Sequence, residues 1–237
     1  MILIILVLAA ILFFLAFMFT NRMGTRILAV SLTGIVLIGS CVVMVANYHD
    51  HYGMKKVTTQ TNQQIYSASG SKLLNLLLYK PVGTSGKNNV YIYDKKQSQK
   101  TPSHTKADEY TYNKIKTTNS QTAAVTTNTT RWEYKNDFYA DLFMWSGMNH
   151  KIVKRVNTFY IPRTWLKLSV SQATKLEKLM KSSAFKTQMT GQGKQYVETE
   201  LKAAMMKDPQ MTAAQQAKLA SHLQQQFEIQ ALKQAIK

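Results

Sequence analysis

Two apolar runs open the chain, at residues 1–20 and 27–46, and neither contains an Asp, Glu, Lys, Arg or His. A helix of about 20 residues, rising about 1.5 Å per residue, is about 30 Å long, the thickness of a bilayer's hydrocarbon core. The pattern therefore predicts a two-helix transmembrane hairpin, with helices at about residues 1–20 and 27–46 and a short loop at 21–26. The first run holds 14 Ile, Leu, Val or Phe residues. At about −0.3 to −0.6 kcal/mol each, they favour insertion by roughly 4 to 8 kcal/mol. A cleaved signal peptide is the competing reading, but no basic segment precedes Ile2 and no small-x-small site precedes Asn21. The second run includes Ser31, Thr33, Gly34, Gly39 and Ser40, small residues that let a neighbouring helix come close, and the first helix is the expected neighbour.

From Asn47 to Gly53 the chain reads Asn-Tyr-His-Asp-His-Tyr-Gly, a polar collar whose Tyr48 and Tyr52 suit the headgroup layer. His49, Asp50 and His51 could approach a metal, but alternate residues of an extended chain point to opposite sides and no further ligand stands at a diagnostic spacing. No metal site is assigned. Beyond the collar, short stretches rich in β-branched and aromatic residues alternate with turn residues. They predict strands near residues 64–67, 73–79, 89–93, 110–117, 123–126, 130–134, 138–143 and 152–161. A hairpin connection is expected at 83–89, and a mobile polar loop at 95–108, around Pro102.

After Trp165 the period becomes helical. Ser169 with Gln172, and Thr212 with Gln215, carry the capping-box signature of helix starts. Three apolar faces follow, on Val170, Ala173, Leu176, Leu179 and Met180, on Val197, Leu201 and Met205, and on Leu219, Leu223 and Phe227. Breaks are expected at Gly191 to Gly193 and at Asp208-Pro209. The expected fold is a membrane-anchored α+β protein: a hairpin at 1–46, a small antiparallel β domain at 47–165, and C-terminal amphipathic helices at 166–237.

Charge changes the picture. Of 30 Lys and Arg only Arg22 and Arg26 precede residue 47, so the remainder carries 28 cationic against 12 acidic side chains, an excess of 16. Such a field attracts polyanions, whether wall polymer, lipid headgroup or nucleic acid. Arg22 and Arg26 abut the helix ends, whereas Lys55 and Lys56 stand some residues beyond the second helix and near Asp50. The loop is therefore expected inside and both termini outside. The single cysteine, Cys41, lies in the second apolar run, which leaves no thiol catalysis, Cys-ligated metal or disulfide for the rest of the chain.

Candidate chemistry is sparse. Ser69 with Lys72, Ser103 with Lys106 and Ser183 with Lys186 fit a Ser-x-x-Lys spacing, but no Lys-Thr-Gly partner exists. Asp137 and Asp141 would share a helix face, without a sign that they meet in a cleft. Trp132, Trp145 and Trp165 are the candidates for a ligand groove, against the commoner fate of burial in a core. No catalytic residue and no cofactor is assigned.

The uncharged hairpin, "NYHDHYGMKKVTT" from Asn47, "NNVYIYD" from Asn88, "TRWEYKND" from Thr130 and "FYIPRTW" from Phe159 together resemble an uncharacterised two-helix membrane-protein family of lactobacilli and related lactic acid bacteria, a domain of unknown function. The resemblance implies a Gram-positive cell envelope and brings no activity, ligand or catalytic residue. The expectation is thus an integral protein of the cell membrane whose basic extracytoplasmic domain binds or assembles at an anionic wall or lipid surface. Nucleic acid is not an expected partner. The rivals are a membrane-tethered hydrolase acting on wall or peptide substrates, and a cytosol-facing or nucleic-acid-binding module.

Ile38-Gly39-Ser40-Cys41 also resembles a lipobox, in which the cysteine would be acylated, yet Val42-Val43-Met44-Val45 keeps the chain apolar where a lipoprotein would turn polar. Cys41→Ala should therefore leave membrane retention and intact mass unchanged apart from the substitution. Mass spectrometry showing a lipid adduct lost in the variant would establish the lipobox instead.

Overall fold

The computed structural model describes residues 1–69, 75–83, 88–97 and 99–236. Most of the Ser69 to Lys72 motif, the start of the expected 73–79 strand and the middle of the 83–89 connection lie outside them.

The apolar runs form α1 (Ile2–Phe19) and α2 (Met23–Asp50), both long and apolar enough to cross a membrane. α2 extends four residues past the apolar run at each end, because helical hydrogen bonding does not depend on side-chain polarity. At its start the Arg22 carbonyl accepts from the Arg26 N–H and the Thr25 hydroxyl. The helices pack through small residues: a Cβ on Gly34 would lie 3.4 Å from the Phe13 ring, and Ala9 and Ser40 are buried. Ser40 satisfies its hydroxyl on the Val36 carbonyl at 2.7 Å. Gly39 has no neighbour within 4 Å and takes no part. The other faces, including Phe14, Leu28, Ile35, Ile38 and Cys41, stay exposed.

Eight strands follow among the described residues: β1 (Met54–Ile65), β2 (Leu76–Val82), β3 (Asn88–Tyr93), β4 (Ser103–His104), β5 (Thr111–Thr118), β6 (Ala123–Tyr134), β7 (Ile152–Pro162) and β8 (Leu166–Ser169). They make two four-stranded sheets, ordered β1-β6-β7-β5 and β4-β3-β2-β8. β2 runs antiparallel to β3, with Leu78 opposite Ile92, and parallel to β8, with Leu76 opposite Leu166. With α3 (Asp137–Leu142), α4 (Val170–Lys181), α5 (Ser183–Lys207) and α6 (Ala213–Ala235) the class is α+β. Contacts divide the chain into two compact units, one of Met1–Gln60 with Asn128–Arg155 and one of Thr61–Thr127 with Val156–Lys237.

In the first unit α2 turns into β1 within three residues. His51 adopts the left-handed conformation (φ 56°), and its N–H and that of Tyr52 both reach the Ala46 carbonyl. The Asn47 side chain donates to the Tyr52 carbonyl at 2.9 Å, and Gly53 takes φ +78°. The His51 ring stacks on Trp132 at 4.0 Å, and the Gly53 carbonyl accepts from the Lys135 N–H. The Tyr139 ring lies where a Gly53 side chain would start. The segment 138–143, expected as a strand, is mostly the helix α3. Asn136 caps it by accepting from the Tyr139 N–H, and Tyr139 and Phe143 then stack one turn apart. β6 is one continuous strand across the two stretches predicted separately at 123–126 and 130–134.

In the second unit β2 separates two apolar clusters, as alternate residues of a strand must. Leu77 and Tyr79 face Ile65, Tyr91, Phe159 and Trp165, whereas Leu76 and Leu78 face Leu166, Leu176 and Leu232. Both capping boxes form as expected, at Ser169 and Thr212. The first helix break is at Ser182, which caps α5, and not at Gly191 to Gly193, which lie inside that helix. Gly193 is there because a Cβ would come within 3.3 Å of the Phe227 ring of α6. Within the expected 95–108 loop, β4 pairs with β3, and Thr105 is buried, exchanging bonds with the Tyr91 N–H and carbonyl. A polar chain crosses the interior: Thr127 donates to Asn157, Asn157 to Asn113, and Asn113 to Thr105 and to the Asn89 carbonyl.

Two outcomes follow from the turn. Gly53→Ala must place a Cβ at a left-handed position, costing about 1–2 kcal/mol, and must also displace Tyr139. Chemical denaturation in detergent should show a loss of at least about 2 kcal/mol, partly recovered in Gly53→Ala with Tyr139→Ala. Burial and the positive charges of Lys151 and Lys56 hold the His51 imidazole below its usual pKa. The unfolded chain therefore binds the proton more readily, and this share of stability is lost as pH falls below about 6.5. Thermal melts of His51→Asn should show a weaker decline between neutral pH and pH 5 than wild type.

Candidate functional site at the end of the hairpin

The best-formed pocket among the described residues lies wholly in the first unit. Its walls are the start of α1 (Met1, Ile2, Leu3), the last turns of α2 (Met44, Val45, Asn47, Tyr48, His49) and the segment closing α3 (Leu142, Phe143, Trp145, Ser146). The volume is about 430 Å³, within the range of small-molecule sites.

Three local features position these walls. The antiparallel hairpin sets the beginning of α1 beside the end of α2, and the Met1 nitrogen donates to the Asp141 and Leu142 carbonyls at 2.7 and 3.0 Å. Phe143 is 2 % exposed and anchored by its neighbours, its carbonyl accepting from the Tyr134 hydroxyl at 2.9 Å. The same hydroxyl meets Ser146 at 2.7 Å, which fixes the loop that carries Trp145. Most of the lining is apolar. The polar groups gather near Asn47, whose side chain is 1 % exposed and whose Oδ1 has no hydrogen-bond partner. A buried acceptor left unmatched costs about 1–3 kcal/mol, so this oxygen is a local cost of the turn.

Around the pocket, large apolar side chains remain in solvent: Trp145 (58 % exposed), Met144, Phe138, Tyr48 and Tyr52. Lys151 stands 5.8 Å over the Tyr48 ring and Lys56 5.0 Å over Trp132. Aromatic rings with lysines beside them, at the end of two apolar helices, are the composition of a membrane-water boundary.

Trp145 lines this pocket, Trp132 stacks on His51, and Trp165 belongs to the second unit's core. Trp165 also borders an open groove there of about 610 Å³ with Leu77, Ile115, Ile161, Arg163, Lys167 and Lys233, and among the described residues no carboxylate lines it. In the collar, His49 and Asp50 bond to each other at 2.9 Å while His51 turns to Trp132, so the three do not converge. Among the described residues no group of three His, Cys, Asp or Glu is placed to hold a metal. Asp94, at the end of β3, is buried with one oxygen unpartnered, and burial raises its pKa.

Sequence reasoning passed over the pocket because its walls are ordinary apolar residues brought together from positions some 100 apart. The only local signals were Asn47, a polar residue ending an apolar run, and the aromatic density from Phe138 to Trp145. No curated protein and no solved structure matches the chain. A family model described as a domain of unknown function, DUF4811, matches residues 22–176, which takes in α2, the strands from β1 to β8 and the first half of α4, and the chain belongs to that family.

Proposed function

We propose that the protein is a membrane-anchored, non-enzymatic binding or assembly module, inserted through α1 and α2, whose cationic domain works outside the cytoplasm on an anionic wall polymer or lipid surface. The observation that carries the reading is the coupling of charge to the hairpin. α2 ends at Asp50, β1 begins at Met54, and Lys55 and Lys56 follow at once. Exposed charges act over about 8 Å at physiological ionic strength, so a cation contributes only if held near the anionic layer. Beyond residue 46 stand 28 Lys and Arg against 12 Asp and Glu, so 16 cations have no carboxylate for one-to-one pairing. Arg163, Lys167 and Lys233 around the second unit's groove are one place where that excess collects.

Attraction of this kind needs no single pocket. The full chain in nanodiscs of neutral lipid should bind a fluorescent polyphosphate, with affinity falling steeply as salt rises. Lys114→Glu should cost only on the order of 2 kcal/mol, because each dispersed cation contributes about 1 kcal/mol and the reversal changes the charge by two. Binding that resists high salt, or that collapses in Trp145→Ala alone, would show a defined site and refute the dispersed-charge reading. The side of the membrane is tested independently with Gln121→Cys in a Cys41→Ala background. A membrane-impermeant maleimide should label it on intact cells, and labelling only after lysis would place the domain in the cytoplasm.

A further inference from the structure

The pocket at the end of the hairpin has an axis of polarity. Leu3 and Val45 belong to helix faces that remain exposed beside it, Val45 at 64 % and Leu3 at 40 %, so part of the pocket wall is continuous with the surface that meets lipid once the hairpin is inserted. Its far wall is Leu142, Phe143 and Trp145. A water-soluble ligand would have to compete with lipid for such a space, whereas an acyl chain enters it without leaving an apolar medium. The polar side offers a cation, Lys151, held over the ring of the lining residue Tyr48.

From this arrangement we infer that the pocket takes one acyl chain of an anionic phospholipid. The phosphate pairs with Lys151, and the chain lies against Phe143 and Val45. The bound lipid ties the α3 segment to both helices of the hairpin. Phosphatidylglycerol carries the required net negative charge; phosphatidylcholine has the same phosphate and chains but a cancelling positive charge. The inference rests on the membrane insertion proposed above. Insertion fails separately, since a chain recovered without detergent in the soluble fraction would refute it before any lipid is tested.

The test is native mass spectrometry of the full chain purified in mild detergent with equal amounts of phosphatidylglycerol and phosphatidylcholine of matched chains. One phosphatidylglycerol should be retained per chain, favoured about tenfold over phosphatidylcholine, a difference of ~1.4 kcal/mol. Val45→Trp, which fills the pocket from an exposed helix position, should lose retention of both lipids. Lys151→Gln should lower the preference for phosphatidylglycerol while leaving acyl retention. Equal retention of the two lipids by wild type, unchanged retention in a folded Val45→Trp, or adducts of detergent alone would overturn the inference.

Discussion

The first unit depends on how the chain leaves α2. A helix that ends in or near lipid must satisfy its last carbonyls internally, because water is scarce there and each unmatched group costs several kcal/mol. Here the Ala46 carbonyl takes two N–H groups from a left-handed His51 and the following Tyr52, and the Asn47 side chain covers the Tyr52 carbonyl. Gly53 then completes a reversal that no side chain would allow, since Tyr139 already occupies the space. The turn is thus both a helix cap and a socket. Trp132 is held against His51, Lys135 against Gly53, and α3 over Gly53, so the strand register and the pocket wall are referred to one three-residue turn.

The second unit rests on a different constraint, the two-sidedness of β2. A central strand flanked by β3 and β8 has both faces available, and its alternation of Leu76 and Leu78 with Leu77 and Tyr79 supplies two cores from one short stretch. The buried polar chain through Thr127, Asn157, Asn113 and Thr105 adds register, because a one-residue slip of any of these strands would leave several amide groups unmatched. Neither core contains a charged side chain, so the cationic excess lies outside both.

Much of this was legible in the residues. The hairpin could be read because two charge-free runs of membrane length have few other meanings, and the helix starts at Ser169 and Thr212 because a capping box is a local hydrogen-bond pattern. What failed had tertiary causes. Gly191 and Gly193 looked like a break, but single glycines are tolerated in a long helix, and at Gly193 the partner Phe227 needs the space, while Gly191 has nothing within 4 Å. Phe138 to Phe143 looked like a strand because aromatic residues favour sheets, yet the cap at Asn136 and the stacking of Tyr139 on Phe143 decide for helix. Ser103 to Thr105 reads as polar loop in sequence, and only pairing with β3 makes it structure. The pocket was least legible, since Ile2, Val45 and Phe143 carry no chemistry singly and become a site only through folding.

The account makes the exit of α2 the level of the membrane surface and sets the segment after α3 in the headgroup layer. Spin-label accessibility measures that depth. With a label at Met144→Cys in the Cys41→Ala chain, reconstituted in liposomes, relative exposure to oxygen and to a water-soluble nickel complex should place position 144 at headgroup depth, shielded from nickel compared with a label at Gln121→Cys. Equal nickel exposure at the two positions would put the loop in bulk water and contradict the account.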